Sequence, residues 1–289
     1  MYKIKSKKEA YVFIGPLAVA VLTLIVFPTA YSYYMSFFGF KLSGSHKPFI
    51  GITNYLHILG DASFRHSLIY STRFSLFATA VELVIGVALA ILINRSFRGK
   101  RVVISVILLP MMVAPSLFAL IFRLGLNEFV GIIPYYMKQL GLPGNPFDPK
   151  WVNLTLIMID ALQWIPFVFI IAYAGLTSIP EELYEAAKID GANSYHVFTK
   201  IIFPLLVPTL AIAAFLRGID AFKVYDMIYV LTNGGPGDLT TSVSLFIYKK
   251  AFLEGNLGEA AAASILLTFI LALPLSLAMR YVFKREEYS

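Results

Sequence analysis

Long apolar runs alternate with short polar stretches along the whole chain, and that alternation sets the expected architecture. The first run covers 11–38 and is interrupted by Pro16 and Pro28; the others cover 68–93, 102–124, 151–176, 201–222 and 260–281. About 20 apolar residues in a helix cross the roughly 30 Å hydrocarbon core of a bilayer. The pattern therefore predicts an all-α integral membrane protein with six transmembrane helices. The first run is longer than the apolar core of a cleaved leader and has no small-residue cleavage site after it, so it is expected to remain as a span. Pro110 and Pro115 fall inside the third run, where the backbone bonds they remove must be replaced by neighbouring helices or a water-filled cavity.

The polar stretches carry the sidedness. Lys3, Lys5, Lys7 and Lys8 precede the first run, Arg95, Arg98, Lys100 and Arg101 crowd the loop 94–101, and Arg280, Lys284 and Arg285 end the last run. Cations concentrate on the cytoplasmic side of membrane helices, so both termini are expected in the cytoplasm. The stretches 39–66, 125–150 and 225–258 then face outward, the last with a tight turn at Gly234, Gly235, Pro236 and Gly237.

The stretch 177–208 is polar and helix-forming between two apolar runs. Ser178 followed by Glu181 has the form of a capping box, which predicts a short helix starting at Ile179 and stopping at Gly191, where a left-handed residue ends helices readily. Leu183, Ala186, Ala187 and Asp190 recur at spacings of three and four, so they share one face.

Composition narrows the chemistry. With 58% hydrophobic and 14% charged residues and a mean hydropathy of +0.74, the chain is far from a soluble domain. The net charge of +7 sits beside the apolar runs rather than in a basic domain, which argues for topology and against nucleic acid. No cysteine is present, so thiolate and cysteine-metal chemistry are excluded. Gly99 and Lys100 are followed by Arg101, and no phosphate-cradling loop occurs. His46, His57, His66 and His196 are scattered without ligand spacing, so neither an enzyme nor a cofactor is expected in this chain.

Charges inside the apolar runs are costly and turn toward a cavity or a partner. Glu82, Asp160, Arg217 and Asp220 are such charges. Arg217 and Asp220 are three apart, and two readings stand: they neutralise each other, or they face a cavity or a partner.

Glu185, Ala186, Ala187, Gly191, Ile201 and Pro204, at their spacing, resemble the cytoplasmic coupling loop of permease subunits in binding-protein-dependent ABC importers, with Phe203 where most members have Leu. The segment with FKVYDMIY, TNGGPG and IYKKAF resembles the outer loop of carbohydrate importers of the maltose and glycerol-phosphate type. The resemblance implies a single permease domain over 1–289, with a cytoplasmic coupling helix between spans four and five inside the loop 177–200. It implies a place in the bacterial or archaeal cytoplasmic membrane. The implied partners are a second, different permease chain, two ATPase subunits that bind ATP and Mg, and an extracytoplasmic solute-binding protein. Glu185, Ala186, Ala187 and Gly191 would meet the ATPases. Gln163, Trp164, Phe167, Arg217, Asp220, Ala221 and Val224 would line the path of a sugar or sugar-like solute moved by alternating access. The alternative is an ion-coupled secondary transporter or channel, whose internal repeats or broken helices around an ion site do not stand out in the sequence.

Overall fold

The computed structural model describes residues 7–44, 47–141 and 144–286. Lys3, Lys5 and His46 lie outside these, as do the side chains of Lys7, Lys8, Arg280, Lys284 and Arg285. In chain order the helices are α1 (Lys7–Val21), α2 (Phe27–Ser36), α3 (Thr53–Gly60), α4 (Ala62–Ile93), α5 (Lys100–Leu108), α6 (Pro115–Gly125) and α7 (Ile132–Gln139). They continue as α8 (Val152–Thr177), α9 (Glu181–Ile189), α10 (Ser194–Val197), α11 (Phe203–Phe222), α12 (Asp226–Leu231), α13 (Val243–Tyr248) and α14 (Leu257–Glu286). Single π turns at Leu22–Val26 and Phe198–Ile202 carry helix through from α1 to α2 and from α10 to α11.

The expectation of six spans is corrected. Among the described residues four helices are long and apolar enough to cross a membrane: Ile14–Ser36, Ala62–Ile93, Val152–Thr177 and Ser194–Phe222. The expected third span is broken. α5 stops at Leu108, a 3₁₀ turn holds Pro110–Met112, Val113 and Ala114 are extended, and α6 begins at Pro115. Proline offers no backbone donor, and the residue before it is driven from the helical region, as Ala114 is at ψ 135°. The described apolar part of α14, Leu257–Ala272, is also shorter than a span requires. An even count, four or six, leaves both termini on one side, but with the third and sixth runs not counted as crossings the inner and outer sides assigned to the loops by alternation along six spans no longer follow.

The coupling helix is corrected as well. α9 is a short helix between α8 and α10, but only Ala187 in it is buried, and nothing in its own structure marks a coupling role. Its start differs too: Ser178 Oγ donates to Gly175 O at 2.8 Å, and Pro180 takes the cap position without a side-chain bond. The end follows the sequence. Gly191 has φ +70°, Gly191 N donates to Lys188 O at 3.2 Å, and Ala192 N to Ala187 O at 2.9 Å, which is the paired bonding that closes a helix on a left-handed glycine.

The chain divides into two compact units, 1–65 with 246–289 and 66–245. In the first, α14 packs on α2 and α3. Asn54 Nδ2 donates to Ser36 O at 2.8 Å and Phe38 O at 3.0 Å. Gly258 N donates to Phe40 O at 3.0 Å, and a Cβ there would stand 2.4 Å from Phe38 O, so only glycine lets the chains approach. Lys250 Nζ reaches Glu254 at 2.8 Å, Glu259 at 3.4 Å and Asp61 at 3.5 Å. Burial alone would push this ammonium down, but the hydrogen bond to Glu254 and the charges of Glu254, Glu259 and Asp61 outweigh it, and its pKa lies above the ordinary 10.5. A raised lysine pKa contributes stability that is complete below the unfolded value and is lost as pH rises through the folded one. Thermal melts on the alkaline side of 10.5 should therefore fall more steeply for wild type than for Lys250→Met; parallel curves would show that the cluster contributes nothing.

In the second unit α8 packs on α11 and α5, and α12 packs on α6. Ala90, Phe169, Ala172, Leu176 and Leu206 form a buried cluster there. Small residues allow the approach: a Cβ on Gly86 of α4 would lie 2.8 Å from Val168, and one on Gly175 of α8 would lie 2.8 Å from Leu206. Helices in lipid associate through such close packing, since hydrocarbon provides no hydrophobic drive between them.

Candidate functional site

Three helices of the second unit assemble the site. On α8, Asp160, Gln163, Trp164 and Phe167 follow the three- and four-residue spacing that places side chains on one face. On α4, Ser67, Ser71, Ser75, Thr79 and Glu82 form a polar stripe of the same period, and all five are buried. On α11, Arg217, Asp220 and Ala221 complete it. The close approaches at Gly86 and Gly175 hold α4 against α8 at Val168 and α11 against α8 at Gly175.

Arg217 is the centre. Its side chain is 2% exposed, and Glu82 and Asp160 beside it are 0% and 3% exposed. Arg217 Nε lies 2.8 Å from Glu82 Oε2, close in charge though not aligned as a hydrogen bond. Arg217 Nη2 donates to Asp160 Oδ2. Asp220 is a looser partner, 3.4 Å from Nη1 with its side chain 54% exposed. A planar guanidinium presents donors in a fixed fork, so it can serve carboxylates on two other helices at once, which an ammonium on a flexible stem does poorly. The indole of Trp164 covers it, with the guanidinium carbon 5.1 Å from the ring centroid. Phe167 stands edge-on to Trp164 at 6.5 Å.

The polar stripe of α4 fixes the surroundings. Ser75 Oγ donates to Gly218 O at 2.7 Å, one residue beyond Arg217, and Ser71 Oγ accepts from Val243 N at 2.9 Å. Gln163 Nε2 donates to Val113 O at 3.0 Å, an acceptor freed by the break between the 3₁₀ turn and α6. Thr79 Oγ1 and Glu82 Oε1 are buried without a hydrogen-bond partner among the described residues. Buried polar atoms are normally paired, so this face retains hydrogen-bonding capacity.

Of the solute-path residues expected from the sequence, Trp164, Arg217 and Asp220 come together around one guanidinium, and Phe167 joins through Trp164. Gln163 and Ala221 are buried, and Val224 is half-buried with its carbonyl accepting from Ser242 Oγ at 2.6 Å. Of the two readings of Arg217 with Asp220, simple mutual neutralisation does not describe the geometry, since Glu82 and Asp160 are the nearer and more buried partners. Sequence reasoning noted these two acids as intramembrane charges without joining them to Arg217. The four-residue spacing from Ser67 to Thr79 was the available signal for a polar face on α4. Glu185, Ala186 and Gly191 are exposed in and after α9, while Ala187 is buried. Among the described residues no group of three or more metal-binding side chains is found.

The profile of the family described as binding-protein-dependent transport system inner membrane component matches residues 82–288. The chain is similar to the trehalose/maltose transport system permease protein MalF of Thermococcus litoralis, 35% identical over 98% of this chain and 97% of the relative. It is also similar to the sn-glycerol-3-phosphate transport system permease protein UgpA of Agrobacterium fabrum, 29% identical over 98% of this chain and 97% of that one. Among solved structures, a bacterial ABC transporter involved in the import of the acidic polysaccharide alginate shares the fold, with TM-score 0.82, 21% identity and coverage of 96% and 97% of the two chains.

Proposed function

We infer solute and coupling from one premise: the chain belongs to the family of binding-protein-dependent transport system inner membrane components, and it is a transmembrane permease subunit of an ABC importer, not an enzyme. This membership removes the ground for an ion-coupled or channel reading. The solute we propose is a neutral carbohydrate. The observation that carries this is the accessible edge of the site, where half-buried Trp164 and Phe167 stand beside exposed Asp220. Aromatic faces cover the C–H faces of a sugar ring, and a carboxylate accepts from its hydroxyls. The guanidinium of Arg217 is already engaged by Glu82, Asp160 and Asp220, which leaves it little for an anionic solute. The trehalose/maltose relative supports the same reading.

In this proposal Trp164, Phe167, Asp220 and Val224 meet the solute first. Gln163, Arg217 and Ala221 lie behind them and join the path as the helices move in alternating access. Glu185, Ala186, Ala187 and Gly191 contact the two ATPase subunits, which bind ATP and Mg. A second, different permease chain and an extracytoplasmic binding protein complete the assembly, and the whole 1–289 chain acts as one permease domain.

The test is substrate-stimulated ATP hydrolysis and uptake by the assembled complex. Trp164→Ala removes ring contact of the kind worth about 0.5 to 1.5 kcal/mol, so the solute concentration for half-maximal uptake should rise about two- to tenfold. Unchanged uptake, or stimulation by acidic oligosaccharides alone, would refute the neutral-sugar path. Gly191→Val places a branched residue at φ +70°, a conformation such residues avoid. Stimulated hydrolysis should fall severalfold while the chain stays inserted, and full stimulation would remove Gly191 from the ATPase contact.

A further inference from the structure

We propose that the cavity beside the start of α5 binds the headgroup of an anionic phospholipid. The cavity measures about 560 Å³ and is lined by Phe97, Gly99, Lys100, Arg101, Ile104 and Tyr173. Two cations thus share a small space with aromatic and aliphatic walls. Lys100 is half-buried rather than extended into water, and its ammonium is held 5.1 Å from the centroid of the Tyr173 ring. That ring is fixed by stacking on Phe169 at 5.8 Å.

Charge identifies the occupant. Arg95, Arg98, Lys100 and Arg101 fall within seven residues, and none of them is ion-paired with a carboxylate among the described residues. Sidedness alone accounts for exposed Arg95 and Arg98. It does not account for Lys100 drawn against an aromatic wall with Arg101 over a cavity. The cavity lies between the turn that follows α4 with the start of α5 on one side and Tyr173, in the last turns of α8, on the other; α4 and α8 are both of membrane length, and the ends of spanning helices are where the chain meets phosphate headgroups. Basic pockets next to membrane helices suit such headgroups. Beyond the pocket, Val102, Val103 and Val106 are exposed along α5 and offer acyl chains an apolar path. A free anion would gain only the charged end of this site, whereas a lipid uses both.

The experiment places the full chain in phosphatidylcholine nanodiscs containing a minor share of phosphatidylglycerol and counts retained lipid by native mass spectrometry after detergent release. Wild type should retain phosphatidylglycerol selectively. Lys100→Gln with Arg101→Gln should weaken retention about 30-fold, from about 1 kcal/mol for each cation at a membrane surface. Arg95→Gln with Arg98→Gln removes the same charge outside the cavity and should retain the lipid as wild type does. Ile104→Trp keeps every charge and fills the cavity, and it should also lose the lipid. Equal loss from both charge pairs, undiminished binding by Ile104→Trp, or release by millimolar inorganic phosphate would each overturn the proposal, the last by identifying a free anion as the ligand.

Discussion

Arg217→Ala is expected to lose the folded chain rather than merely slow transport. It leaves Glu82 and Asp160 buried without their cation, and breaking a buried ion pair by removing one partner costs about 3–5 kcal/mol. The yield of monodisperse protein from membranes should collapse and its melting temperature should drop. Restoring neutrality is the informative control. Glu82→Gln with Asp160→Asn in the Arg217→Ala background should recover much of the fold, because no unpaired charge remains. Asp220→Ala alone should cost at most about 1 kcal/mol, as its side chain is 54% exposed and its contact is long. An Arg217→Ala protein that melts with wild type would show that the cluster is not a structural centre. A triple variant no more stable than Arg217→Ala would assign the loss to the guanidinium's packing on Trp164 instead.

The apolar runs made α4, α8 and α11 legible, because long stretches of one composition need only length to be recognised as membrane helices. The third run was misread for a physical reason. Hydropathy is blind to backbone donors, and Pro110 and Pro115 left 102–124 apolar while splitting it into α5, a 3₁₀ turn and α6. The capping box at Ser178 and Glu181 failed because a serine near a helix end can equally bond backward, as Ser178 does to Gly175 O. Gly191 was readable since its role depends on one residue's own conformation.

The site was legible in its members and not in its wiring. That Glu82, Asp160, Arg217 and Asp220 are unusual follows from the cost of charge in hydrocarbon. Which carboxylate serves which cation depends on the rotation of three helices about their axes. The sequence neighbour Asp220 was the nearest guess for Arg217, and it is the weakest of the three partners. Rotation is set by contacts such as Gly86 on Val168, which no single-sequence pattern announces.

That contact yields the second large prediction, that Gly86→Ala will cost both packing and electrostatics. The added Cβ would lie 2.8 Å from Val168 Cγ1, 2.9 Å from Val168 Cβ and 3.1 Å from Phe169 N. Overpacking of this kind typically costs about 1–3 kcal/mol. Gly86 lies four residues beyond Glu82 on α4, so a displacement that relieves the clash moves Glu82 away from Arg217 as well. The loss should therefore exceed that of the same substitution at Gly60, where a Cβ meets nothing within 4 Å. Val168→Ala removes the side-chain half of the clash and leaves the backbone half at Phe169 N. The pair Gly86→Ala with Val168→Ala should recover part of the lost melting temperature, beyond what independent effects would sum to. Simple additivity in that double-mutant cycle would mean that α4 and α8 are not held together at this point.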